Sequence, residues 1–196
     1  MQIAILGKGN MGTPLAALLR TAGHRVDSLG RLDDPLTALS QAQVVLLALR
    51  YEQALALVAQ PAIRQALSGK TVIDITNPLA EDFMSLTTGH STSGAEELAR
   101  LLPASAVVKA FNTIFAAVLE DHATGRPCKL PVFVAGDDGM AVATVTSLVQ
   151  DMNLRAIAAG ALTNARYLEP MTEMMIQLGY GLGHGDRIGF ALEAAA

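Results

Sequence analysis

The chain has 196 residues, room for one ordinary domain or a domain with a small annex. It is 51% hydrophobic and 16% charged, with one cysteine, which excludes a disordered chain and a disulfide framework. The net charge is −4 and no Lys/Arg-rich stripe is present, so non-specific nucleic-acid binding has no electrostatic footprint.

Short apolar runs alternate with helical segments along the chain. Gln2–Leu6 reads as a strand, and residues 11–22 as a helix with Leu15, Leu18, Leu19 and Ala22 at helical spacing. Gly23 ends that helix, and Arg25–Leu29 is a second, weaker strand. Residues 44–49 form a third, continuous enough to be buried on both faces. Residues 51–67 are helical, although Pro61 must kink or split them. A fourth strand, 71–75, stops at Asn77-Pro78, and 81–93 is a polar loop. Ser93 and Glu96 have capping-box spacing and open a helix that runs to Leu102. Strands follow at 106–110 and 132–135, then a helix over Gly139–Asp151 and a short edge strand at 154–156. From Gly160 the chain is mainly helical and rich in methionine. Strand–helix alternation predicts an α/β fold with a doubly wound parallel sheet. A nucleotide-binding unit is expected over 1–158, with a helical extension over 159–196.

The longest purely apolar run, 44–49, is too short for a membrane helix, which takes about 20 residues. No basic region precedes the first apolar stretch, so no signal peptide is expected and the cytoplasm is the default location. The apolar excess then goes into a large core or a subunit interface.

Gly7, Lys8, Gly9, Asn10, Met11 and Gly12 spell GxGxxG between the first strand and the first helix. In that context the first glycine permits the turn. The second lets a pyrophosphate approach the backbone, and the third lets helix and strand pack closely. The helix start adds free N–H groups for an anion. The alternative is a tight turn that binds nothing. The second strand is followed by Gly30 and Arg31, and arginine there suits the 2′-phosphate of NADP. Asp27 inside the strand argues the other way, and Asp33 and Asp34 would weaken a phosphate site if they faced it.

With these features go Asp74-Ile75-Thr76-Asn77-Pro78, Lys109-Ala110-Phe111-Asn112-Thr113-Ile114, Val134-Ala135-Gly136-Asp137-Asp138 and Arg166-Tyr167-Leu168-Glu169. Together they make the chain resemble the NADP-dependent oxidoreductases that act with coenzyme F420. It is also similar to the cytosolic reductase domain of six-transmembrane metalloreductases. The resemblance implies a Rossmann fold with a small C-terminal helical portion. It places NADP across Gly7 to Gly12 with its 2′-phosphate at Gly30 and Arg31. Leu49, Arg50 and Tyr51, and also Asn77 and Pro78, would flank the nicotinamide and its ribose. Asn112 and Thr113 would line the acceptor pocket, and the 181–185 segment with Gly183 and His184 would close it. The chain departs from the family pattern at Gly30, usually Ser or Thr, and at Asn112, where several members carry His. The Phe-Asn-Thr form is nearer the metalloreductases, which use a flavin, so FAD or FMN competes with F420 as hydride partner.

Hydride transfer between two ring cofactors needs position and electrostatics from the protein rather than a catalytic side chain, so none is expected. The four histidines lack metal-ligand spacing, and a single Cys128 cannot build a zinc site, so no metal is expected. Lys109 reads as a strand-end lysine, or alternatively as a holder of an acidic cofactor tail. Cys128 reads as a loop thiol, and Met171, Met174 and Met175 as core or homodimer contact. Two other readings stay open: a dehydrogenase of a small carbonyl or imine, and an NADP-binding sensor without turnover.

Overall fold

The fold comes from a computed structural model that describes residues 1–88 and 90–194. The last two residues of the expected extension therefore lie outside the described residues. Among the described residues seven strands form one sheet in the order β2-β1-β3-β4-β5-β6-β7. They are β1 (Gln2–Leu6), β2 (Arg25–Leu29), β3 (Val44–Leu47), β4 (Thr71–Asp74), β5 (Ala106–Lys109), β6 (Pro131–Gly136) and β7 (Arg155–Ala158). The first five run parallel, as does the β6–β7 pair. The join between them, β5 to β6, is antiparallel, with Val108 opposite Gly136 and Lys109 opposite Ala135. The expectation of a wholly parallel sheet is corrected at this one seam. The chain leaves β5, passes through a helix over Ala116–Ala123 and re-enters the sheet at the same end, so β6 runs back against β5. That helix lacks a clear apolar stripe in the sequence, and so does the short one over Leu36–Gln41; neither is evident from periodicity.

Among the described residues eight α-helices cover the sheet: α1 (Gly12–Thr21), α2 (Leu36–Gln41), α3 (Tyr51–Val58), α4 (Pro61–Leu67), α5 (Gly94–Leu101), α6 (Ala116–Ala123), α7 (Gly139–Asp151) and α8 (Ala165–Ile176). Pro61 splits the 51–67 segment because it sits at the first position of α4, where its missing N–H costs nothing. Alternate strand residues point to opposite faces, and both faces are dry. Ile3, Ile5, Val44 and Leu46 pack under α1 and α7, and Ala4, Leu6, Val45 and Leu47 pack under α3 to α5. Leu162 and Ala165, which open the C-terminal segment, belong to the second of these cores. After α8 the chain widens into a π-helical turn over Gln177–Gly181. No helix among the described residues is long and apolar enough to cross a membrane.

Candidate active site

The chain reverses its side of the sheet between β2 and β3, so the carboxyl ends of β1 and β3 open a crevice. The glycine loop fills its floor. Gly7 has φ +123, and a Cβ there would lie 2.0 Å from the carbonyl oxygen of Ala48. A Cβ on Gly12 would lie 1.9 Å from the carbonyl oxygen of Gly7. Loop, strand end and helix start thus touch backbone to backbone. Gly9 differs, because a Cβ there would meet no heavy atom within 4 Å. The packing does not require this glycine, and the open space beside it fits a pyrophosphate laid against bare backbone. Met11 stands at the N-cap of α1, with no side-chain cap and no acidic residue in the first turn. In that turn the Thr13 amide donates to the Gly9 carbonyl at 3.0 Å and Pro14 has no N–H, which leaves the Gly12 amide for an anion.

Beyond the loop, β2 ends at Leu29 and Gly30 follows it. Lys8 pairs with Asp33 at 2.8 Å, and the same Asp33 oxygen accepts the Gly30 amide at 2.8 Å. The Lys8 hydrogen bond and then the Gly30 amide hold the Asp33 carboxyl below its usual range. Arg31 is exposed beside them. Asp27 is turned away, its carboxylate bonded to Gln2 Nε2 at 2.6 Å, toward the far end of β1.

In the other direction lies a cavity of about 460 Å³. Its walls come from Met11 of the glycine loop, Ile75 and Asn77 after β4, Phe83 and Met84 of the following loop, and Asn112 after β5. Phe115, Thr172 and Tyr180 complete it. Phe115 and Tyr180 meet edge to face with centroids 5.5 Å apart. Gln177 Nε2 donates to the Met84 carbonyl at 2.7 Å, tying the loop to the C-terminal turn, and Arg50 lies 5.1 Å above the Phe83 ring. Asn112 Nδ2 donates to Asn77 Oδ1, the Leu168 carbonyl and Thr172 Oγ1. This fixes the amide's orientation and leaves Asn112 Oδ1 buried with no donor among the described residues.

A wholly buried charge cluster lies below. Lys109 Nζ donates to Asp74 at 2.9 Å, Glu169 at 2.8 Å and the Thr76 carbonyl at 2.6 Å. Burial pulls the Lys109 ammonium down, but the Asp74 and Glu169 charges outweigh it and the net direction is up. Glu169 also accepts the Gly94 and Ala95 amides at the start of α5. One lysine thus joins β4, β5, α5 and α8, and holds the backbone that leads into Asn77. It has no exposed surface, so the reading of Lys109 as a holder of a cofactor tail is corrected: its three donors are consumed inside the fold.

No family model matches the chain. The F420-dependent NADP reductase of Methanocaldococcus jannaschii is 32% identical over 166 residues, covering 82% of this chain and 72% of that protein. The chain belongs to the F420-dependent NADP reductase family. The metalloreductase STEAP3 of Rattus norvegicus is 30% identical over 182 residues; this chain spans about a third of it, 36%, while 86% of this chain is matched. A solved structure from Arthrobacter sp. FB24, provisionally named as an F420-dependent NADP reductase, superposes with a TM-score of 0.85 at 27% identity, covering 99% of this chain and all of that one.

In this family member the residues singled out by sequence fall into three groups. Gly7, Lys8, Gly9, Asn10, Met11 and Gly12 form one continuous loop, with Gly30 and Arg31 at one end and the cavity at the other. Asn77 and Asn112 meet in the cavity wall, where Asn112 Nδ2 lies 3.0 Å from Asn77 Oδ1. Leu49 and Arg50 border the crevice. Tyr51 is buried and its hydroxyl bonds Glu97, so burial first, then Glu97, pushes its ionisation up. Pro78 is buried, and its carbonyl accepts from Thr87. Thr113 is buried outside the cavity lining, and Gly183 and His184 are exposed beyond it. The side chains that close the cavity from the C-terminal side are Ile176 and Tyr180 instead. Sequence reasoning did not single out Phe83, Met84, Phe115 or Tyr180. The one available signal was an apolar Phe-Met pair inside an otherwise polar loop. Among the described residues no cluster of metal-ligating side chains occurs.

Proposed function

We propose that this protein is an NADP-dependent oxidoreductase that moves a hydride between NADPH and a flavin-like acceptor, with coenzyme F420 the first acceptor. The observation that carries the proposal is Met11. It belongs to the glycine loop and also to the cavity wall, so a dinucleotide lying along the loop delivers its far end into the cavity. Gly7 to Gly12 would hold the pyrophosphate, and Gly30 and Arg31 the 2′-phosphate. Leu49, Arg50, the Tyr51 backbone, Asn77 and Pro78 would border the nicotinamide ribose. Asn112 Oδ1 offers a buried acceptor to an amide or ring N–H. An unmade bond there costs ~1–3 kcal/mol, which a ligand recovers.

NADP supplies the hydride chemistry when bound. The protein's part is to orient and to exclude water. Asn77 and Asn112 fix one wall through their mutual hydrogen bond. Phe83, Phe115 and Tyr180 form an apolar rim, and the Gln177 bond to the Met84 carbonyl ties its two sides together. The same wall accepts FAD or FMN on this reading, and the likeness to a metalloreductase favours testing both. A cytoplasmic homodimer completes the proposal. Tyr167 and Met174 are 70% and 52% exposed beside an apolar groove on the outer side of α8, a surface suited to a second copy.

The test is an anaerobic assay with NADPH and, in turn, F420, FAD, FMN and no acceptor, followed at the reduced-nicotinamide absorbance. Turnover with the deazaflavin supports the proposal. Turnover only with FAD or FMN replaces the acceptor, and tight NADPH binding with no turnover leaves a sensor.

A further inference from the structure

Asp33 stands where the nucleotide reading places an anion. Its carboxylate takes the Gly30 amide and the Lys8 ammonium, both at 2.8 Å. Both lie at the end of β2: a Cβ on Gly30 would come 3.5 Å from Lys8 Cδ, and Arg31 is the next residue. The neighbouring Asp34 is not in competition: its carboxylate accepts the Leu36 amide at 3.1 Å and caps the start of α2. Asp27 is also spent elsewhere, on Gln2. Asp33 is thus the one carboxylate of the three that faces the subsite, and a turn bond from its own amide to the Gly30 carbonyl keeps it there.

Resting on the proposed nucleotide reading, we infer that Asp33 is a specificity-determining residue: its carboxylate competes with the 2′-phosphate of NADP for Gly30 and Lys8, and accepts the free 2′-hydroxyl of NAD. Two anions cannot share one pair of donors without repulsion, so NADP must displace Asp33. An unphosphorylated ribose has a hydroxyl that can donate to the carboxylate, which stays in place. Asp33 therefore narrows the preference for NADPH that Arg31 creates. Both Lys8 and Asp33 have about half their side-chain surface in solvent, so the carboxylate can swing out without disturbing the core.

The test measures dissociation constants of NADPH, NADH and adenosine 2′,5′-bisphosphate for the wild type, Asp33→Asn and Asp33→Ala. Removing the charge is expected to tighten NADPH and the bisphosphate by about tenfold and to leave NADH equal or weaker. The gain should shrink in 1 M salt, because this site is exposed to screening ions. Unchanged NADPH affinity in both variants would overturn the role of Asp33 while leaving the nucleotide reading intact. Equal loss for NADPH and NADH would also overturn it, by showing a structural contribution only. If neither nucleotide binds the wild type or the variants, the nucleotide reading falls and the inference with it.

Discussion

At the glycine loop the decisive contacts are between backbones and the side chains are exposed. Beneath the cavity they are between side chains, and everything is buried. Lys8 and Asp33 pair at 2.8 Å in solvent; Lys109 and Asp74 pair at 2.9 Å with no exposure at all. The distances match, but the energetics differ. A solvated pair can be broken by an arriving phosphate at little cost, because water screens it. A buried pair leaves an uncompensated charge when broken, at a cost of about 3–5 kcal/mol. On the proposed reading, one end of the site exchanges partners and the other stays fixed while Asn77 and Asn112 hold the cavity wall.

The contrast breaks most visibly at Lys109. Lys109→Met strands Asp74 and Glu169, and should lower unfolding free energy by about 3–5 kcal/mol in urea titrations. Lys8→Met should leave the midpoint of the same titration almost unmoved; equal losses would erase the distinction. Next come the glycines. Gly12→Ala puts a Cβ 1.9 Å from the Gly7 carbonyl and should lose both stability and NADPH binding. Gly9→Ala meets no protein atom and should keep the thermal midpoint while weakening NADPH by roughly tenfold, measured by calorimetry.

Arg31→Ala should weaken NADPH by ~10–100-fold and leave NADH nearly unchanged. Equal losses would remove the 2′-phosphate assignment. Met174→Glu should shift the sedimentation profile toward monomer if the outer face of α8 is the dimer contact. The smallest effect concerns Glu96, which Arg166 and then Ser93 hold below the usual carboxylate range, against some burial. A depressed carboxyl stabilises the fold above its unfolded pKa and stops doing so as pH falls through its folded value. The stability advantage of the wild type over Glu96→Gln should be present at neutral pH, within ~0.2–1 kcal/mol. It should fade below about pH 4.

What could be read without coordinates follows the same division. The strands were legible because burial on both faces demands continuous apolar runs such as 44–47, and the glycine loop because backbone contact leaves no choice of residue at Gly7 and Gly12. Asn77 and Asn112 could be singled out only through the family resemblance. Their meeting, with a span of 35 residues between them, is a tertiary event.

The sequence by itself determined the strand–helix alternation, the split at Pro61 and the tight glycine turn after β1, since each depends on neighbours within a few residues. Only the tertiary structure decided the antiparallel seam between β5 and β6, the enclosure of the cavity by Phe83, Phe115 and Tyr180, and the fate of the charged residues. Lys109 and Lys8 are both lysines near strand ends, and composition treats them alike. Burial separates them: one meets two carboxylates across 35 and 60 residues of chain, with no water to screen the charges, and the other meets Asp33 in solvent.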